Sequence, residues 1–274
     1  MEVKILEQHN NFLQIFIHGI DLAIANSLRR IMIAEVPSMA IETVFIIENS
    51  SVVPDEILAH RLGLVPLKTD LESYLLRENC DCNSELGCSK CNVILTLDAK
   101  AIDSVQTVYS KELKSPDPEI IPVNGEIPLL KLAKNQEVRL EAHARLGKGI
   151  EHAKWQPVSV CTVRPVSKIT IDYPKCDSCK NCVQACFKKI LRSDNNKVEI
   201  VDYEKCNDCG QCVDSCPKNA ITVERTKDSF IITLETTGTL SPEKVFDCSI
   251  EILKAKSKEL IECISSLSNP EEVK

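Results

Sequence analysis

The chain has 274 residues, 43% of them apolar, and its 40 acidic against 33 basic side chains leave a formal net charge of −7. That length suits roughly two or three domains with real cores, while the acidic balance and a pI near 5.4 exclude a free-standing nucleic-acid binder with a basic patch. No apolar run of about 18 residues is present, which excludes a helical membrane span, and aromatic residues at 4% leave no stacking platform for single strands. The first residues include Glu2, Lys4 and Glu7, so no secretory signal is expected, and fifteen cysteines then point to a reducing cytoplasm and to metal ligation rather than disulfides.

Residues 3–8 and 12–17 are apolar-rich runs around His9-Asn10-Asn11, a pattern for a hairpin. Asp21 is placed to cap a helix from residue 22 to about 36, where Pro37 stops it. Leu22, Ile24, Ala25, Leu28, Ile31, Met32 and Ala34 make that helix apolar around most of its girth, so more than one neighbour must cover it. Asn26, Arg29 and Arg30 share one side, either as a solvated face or as a contact to a partner chain. Residues 39–48 read as a strand, and Pro54 opens a short helix that Gly63 closes.

Asn26-Ser27-Leu28-Arg29-Arg30, then Val36-Pro37, then His60-Arg61-Leu62-Gly63-Leu64-Val65-Pro66-Leu67 resemble the N-terminal region of the D-type subunit family of archaeal RNA polymerase. That family is the counterpart of the bacterial α subunit and of the third-largest eukaryotic polymerase subunit.

Cys80-x-Cys82-x5-Cys88-x2-Cys91 follows, in a polar loop with Asn79, Asp81, Asn83, Ser84 and Gly87. Four thiolates this close can hold a tetrahedral zinc ion, although the gap of five is not a standard finger spacing; the plain alternative is a loop of reduced cysteines or one disulfide. A zinc loop at this place is also what the resemblance implies. Residues 93–97 read as a strand and the prolines between 116 and 122 mark an irregular surface segment. Along 138–146 apolar Val138, Leu140, Ala142 and Ala144 alternate with Arg139, Glu141, His143 and Arg145, a half-exposed strand. Gly147-Lys148-Gly149 lacks the spacing and the Lys-Ser or Lys-Thr of a phosphate loop. In 149–157 the lone Trp155 reads as a core anchor and His152 as a structural histidine. The string Gly149-Ile150-Glu151-His152-Ala153-Lys154-Trp155-Gln156-Pro157 also resembles a signature of the same D-type family, which implies a subunit interface. Residues 158–164 and 167–172 lead as strands into the next segment.

That segment holds eight of the fifteen cysteines in two copies of one spacing: Cys176-x2-Cys179-x2-Cys182-x3-Cys186, then Cys206-x2-Cys209-x2-Cys212-x3-Cys216-Pro217. The pattern calls for two 4Fe–4S clusters in which each fourth cysteine crosses over. Cluster one takes Cys176, Cys179, Cys182 and Cys216; cluster two takes Cys206, Cys209, Cys212 and Cys186. The stretch resembles a bacterial-type two-cluster ferredoxin, except that Phe187 stands where proline is expected, which predicts altered packing near Cys186 and a less robust second cluster.

Residues 230–236 return as a strand, and Ser241-Pro242-Glu243 starts a helix to about Ile264, roughly 35 Å long. Val245, Phe246, Ile250, Ile252, Leu253, Leu260, Ile261 and Ile264 form a broad apolar stripe on it, and the polar tail from 268 is expected to fray. Two heavily apolar helices with few aromatics to fill a core favour a helix-mediated interface, with Phe246, Leu253 and Leu260 on it.

The expected fold is α+β. Residues 1–37 and 221–274, with about 151–172, form a discontinuous α-like dimerisation domain; 38–150 form an inserted mixed domain carrying the loop 80–91; 173–220 form an inserted ferredoxin-like iron–sulfur domain. The resemblance implies a non-catalytic assembly subunit that pairs with the small α-like subunit L and supports subunits N and P and the second-largest catalytic subunit, with little or no direct DNA contact. The alternative is a ferredoxin-type electron-transfer subunit of a redox complex. It rests on the cysteine spacing alone, without a dinucleotide or flavin motif, and residues 173–217 carry seven basic and seven acidic side chains, so they offer no one-sign field to steer a partner.

Overall fold

In chain order the sequence builds β1 (Glu2–His9), β2 (Phe12–His18), α1 (Leu22–Ala34), β3 (Ser38–Asn49), α2 (Asp55–Gly63), β4 (Val93–Lys100), β5 (Gln106–Tyr109), β6 (Pro128–Leu132), β7 (Glu137–Gly147), β8 (Val158–Ile171), α3 (Asn181–Ala185), β9 (Leu191–Asp194), β10 (Lys197–Ile200), α4 (Gln211–Asp214), β11 (Ile221–Thr236) and α5 (Pro242–Ser268). These elements come from a computed structural model that describes residues 1–82, 84, 86–194 and 197–268. Asn83 and the tail from residue 269 lie outside the described residues.

The capping chemistry appears where the sequence places it. Asp21 Oδ1 accepts the Ile24 N–H at 2.7 Å, and Ser241 Oγ accepts that of Lys244 at 3.3 Å. Helix α1 stops at Ala34, earlier than expected, because the Val36 N–H turns back to the Ile31 carbonyl and the residue before Pro37 is biased away from helix. Helix α5 runs further than expected. No glycine or proline intervenes before Pro270, and the Ser257 and Ser265 hydroxyls bond the carbonyls of Leu253 and Ile261 one turn back.

The chain divides into two compact units. One comprises Met1–Gln8, Leu13–Arg29 and Thr162–Thr233 and holds most of a sheet ordered β1-β2-β11-β8. Phe16, Val166 and Ile231 pack together there. Strand β8 is continuous where two pieces were expected. Its Pro165 is tolerated because β8 is at the sheet edge, where a missing N–H breaks no ladder bond. Strand β11 likewise begins at Ile221, well before the expected start, with Ile221 buried among residues of the cysteine-rich segment. The Asp172 N–H donates to the Ala220 carbonyl at 2.8 Å, so that segment leaves and rejoins the two strands at one point. Within it β9 and β10 pair antiparallel, and Ile190, Leu191 and Val198 make a small core with Cys182, Cys206 and Cys212.

The other unit comprises His9–Phe12, Arg30–Cys161 and Leu234–Lys274. Its sheet is ordered β3-β7-β4, both pairs antiparallel. Val138, Leu140, Ala142 and Ala144 of β7 join Leu58 and Leu62 of α2 in one core. His143, on the alternate face, is also buried: the Phe45 ring meets it edge-on at 5.1 Å and the Asn92 amide lies 2.9 Å from Nδ1. Strands β5 and β6 form a separate antiparallel pair.

Trp155 is 2% exposed. The Arg145 guanidinium and the Lys154 ammonium each lie 4.3 Å from its ring, and its indole N–H donates to the Arg145 carbonyl. Glu42 pairs with both cations, which outweigh the cost of burying it and hold its carboxyl below the usual range. A Cβ on Gly147 would lie 2.4 Å from the indole, so glycine there lets the ring reach the strand. Trp155→Ala is expected to cost about 3–5 kcal/mol of stability, read by urea unfolding of the full chain.

Candidate metal centres and an exposed helical face

The Cys80–Cys91 loop begins as a tight turn over Arg77–Asn79 and ends as another, in which the Cys91 and Asn92 N–H groups return to the Cys88 carbonyl. Arg77 ties the loop to itself by donating to the Ser84 carbonyl at 2.9 Å. Gly87 has φ +86, and a Cβ there would lie 2.9 Å from the Cys91 sulfur. The four Sγ atoms all lie within 4.8 Å of one another, with 3.7 Å between Cys80 and Cys88, 3.7 Å between Cys82 and Cys91, and 3.9 Å between Cys88 and Cys91. A tetrahedron with zinc–sulfur bonds near 2.3 Å has edges of about 3.8 Å, so the cage fits that ion. The Cys88 N–H also donates to the Cys91 sulfur at 3.2 Å.

The crowding of the sulfurs pulls the thiols apart in acidity. Cys82 is held down to about 7, first by the Ser84 backbone N–H and then by the Cys80 thiol. The Cys82 N–H favours the Cys80 thiolate in the same way, but burial and the three neighbouring sulfurs outweigh it and push Cys80 up to about 12. Four thiolates side by side need a positive ion between them.

The two four-cysteine runs take up matching backbone. Ser178 and Lys180 in the first and Asp208 and Gly210 in the second have positive φ, as do Lys189 and Asn219 further on. Such left-handed residues turn successive amides toward one point, a concavity suited to anions and to iron–sulfur groups. The thiol of Cys182 feels those of Cys216, Cys176 and Cys179, after the burial that raises it. That of Cys212 is raised by burial first, then by Cys206, Cys186 and Cys209. Cys186, Cys206, Cys209 and Cys212 also line one small cavity together with Phe187. The second crossed set of four thus lines one cavity, and four thiols of this kind suit a 4Fe–4S group. Phe187 is exposed and sits on the wall of that cavity.

Helix α5 changes character along its length. Val245 and Ser249 are fully buried, Phe246, Ile250, Ile252 and Leu253 are half-buried, and from Lys254 onward every residue described to Ser266 is exposed, with Leu260 at 61% and Ile261 at 64%. Of the other residues the sequence singles out, Asn26 and Arg30 are exposed, and Arg29 is half-buried with its Nε donating to the Asn26 side chain at 2.9 Å. His152 is exposed and accepts the Lys154 N–H, a capping role, whereas Trp155 is buried within its own chain and supports that surface from beneath. Sequence reasoning passed over Lys4, Arg164 and Arg225, each of which bonds near the second cysteine run. Their partners are distant along the chain and no local pattern marks them.

No helix among the described residues is long and apolar enough to cross a membrane. The described residues thus present an α+β architecture, a four-cysteine cage and an exposed end of α5 that carries Leu260 and Ile261. The family model for the RNA polymerase Rpb3/Rpb11 dimerisation domain matches residues 14–257, and the chain belongs to that family. It is 40% identical to the DNA-directed RNA polymerase subunit Rpo3 of Archaeoglobus fulgidus over 97% of this chain and 98% of that one. It is 37% identical to the subunit of the same name from Methanosphaera stadtmanae, covering 97% and 99%, and 34% identical to the RNA polymerase II subunit rpb3 of Dictyostelium discoideum, covering 93% and 92%. This places the chain among the subunits of DNA-directed RNA polymerase, and as such a subunit it is not an enzyme by itself.

Proposed function

We propose that the chain is the cytoplasmic assembly scaffold of an archaeal-type RNA polymerase, pairing with the smaller α-like subunit L and then supporting subunits N and P and the second-largest catalytic subunit. The observation that carries this reading is the exposed apolar end of α5 in a chain whose family is defined by dimerisation. The dimerisation domain would comprise residues 1–37, about 151–172 and 221–274, with 38–150 and 173–220 as insertions. Cys80, Cys82, Cys88 and Cys91 would hold one structural zinc ion. Cys176, Cys179, Cys182 and Cys216 would hold one 4Fe–4S cluster, and Cys206, Cys209, Cys212 and Cys186 the other. Bound there, iron and sulfide supply covalent cross-links to a segment whose own core is small, and their sensitivity to oxygen would let redox stress loosen the insertion and lower polymerase assembly. The net charge of −7 suits a subunit standing away from DNA. An electron-transfer subunit would account for the crossed cysteine sets but not for the α5 surface or the cysteine cage.

Anaerobic purification with identification of co-purifying chains tests the class: large polymerase subunits are the expected company, and a flavoprotein or hydrogenase would overturn it. Cys176→Ser and Cys206→Ser should each lose iron, retain binding to subunit L and reduce the yield of whole polymerase. Unchanged yield with a lost cluster would reject the assembly role.

A further inference from the structure

The second cysteine run is gripped from outside by basic side chains on three strands of one sheet. Arg164, on β8, donates through its two terminal nitrogens to the carbonyls of Cys206, at 2.8 Å, and Glu204. Lys4, on β1, reaches the Glu204 carboxylate at 3.1 Å. Arg225, on β11, pairs with Asp208, which lies between the ligand positions Cys206 and Cys209. The Tyr203–Lys205 turn and the Cys206–Cys212 loop are therefore fixed to β1, β8 and β11 at three points. Within the loop itself Asp208 and Gly210 take positive φ, so these three bonds come in addition to its own turn.

Of the three cations, Arg164 differs in kind. Lys4 and Arg225 face carboxylates, so their charges are neutralised, and both are largely exposed. Arg164 is half-buried and its terminal nitrogens are spent on neutral carbonyls, one of them belonging to a buried cysteine. A guanidinium matches two carbonyls at once because of its planar fork, and it brings a positive charge beside the Cys206–Cys212 loop. Net charge and hydrogen bonding near the sulfurs set the potential of an iron–sulfur group. We propose that Arg164 is a positioning residue for the second cluster, raising its reduction potential and, with Arg225 and Lys4, transmitting the state of the Cys206–Cys212 loop to the sheet strands β8 and β11. This rests on the iron–sulfur reading above.

The test uses the full chain purified anaerobically, with iron and acid-labile sulfide assayed first. In Arg164→Met, potentiometry followed by electron paramagnetic resonance should show one cluster shifted to lower potential and the other unmoved, the shifted signal being the one that Cys209→Ser removes. In Arg164→Lys the charge remains but both carbonyls cannot be held together. The potential should then stay near the wild-type value while amide hydrogen exchange rises in β8 around Arg164. Cys209→Ser should raise exchange in the same amides several-fold and add little on top of Arg164→Met. Both clusters shifting together, neither shifting, or β8 exchange indifferent to Cys209→Ser would overturn the proposal. A wild-type chain free of iron and sulfide would instead remove the iron–sulfur reading, and this inference with it.

Discussion

Leu260→Asp combined with Ile261→Asp is expected to abolish pairing with the small α-like subunit while leaving the isolated chain folded. Both side chains are exposed, at 61% and 64%, so neither contributes to the core of its own chain. Covering each in a partner would remove its apolar surface from water, worth about 1.5–3 kcal/mol apiece, and burying an aspartate there without a partner adds a further cost. The sum corresponds to at least two to four decades in affinity. Sedimentation of the mixed subunits should show separate species, with circular dichroism unchanged. Intact pairing would mean that this end of α5 stands outside the interface. Val245→Asp is the contrasting case: that residue is fully buried, and its change should unfold the chain rather than select against a partner.

Cys88→Ser is expected to release one zinc ion per chain and to unlock the whole Cys80–Cys91 loop. Cys88 is the hinge of the cage. Its sulfur lies near those of Cys80 and Cys91, its N–H donates to Cys91, and its carbonyl receives the N–H groups of Cys91 and Asn92. Structural zinc sites of this kind represent about 10–16 kcal/mol of binding free energy near neutral pH, far more than the loop's own hydrogen bonds can replace. Elemental analysis should find the ion in the wild type and not in the variant, with faster amide exchange across Cys88 to Asn92. Zinc retained at full stoichiometry in Cys88→Ser would remove the site.

What could be read beforehand was what the chain encodes locally. Asp21 and Pro37 frame α1, the alternation of β7 predicts its buried set, and the cysteine spacings announce two kinds of thiol cluster. The weak elements were those fixed by tertiary pairing. Strands β5, β9 and β10 have four residues each, too few for a periodic signal. The first half of β11 carries Glu224, Arg225, Lys227 and Asp228 and reads as loop until β8 is laid beside it. Burial of His143 escaped the alternation because Phe45 and Asn92 cover what the pattern assigns to solvent. Arg164 bonds carbonyls some forty residues away in sequence, a relation that no local pattern in one chain can reveal.

The point where β8 and β11 hand the chain to the cysteine-rich segment has one more implication. Its entry and exit, Asp172 and Ala220, are a single 2.8 Å hydrogen bond apart on neighbouring strands. Excising everything between them and bridging the gap with a tight reverse turn would leave every remaining strand in register. The cysteine-rich part is thus a detachable cassette, and the two strands that carry it permit versions of the fold that lack its eight cysteines altogether.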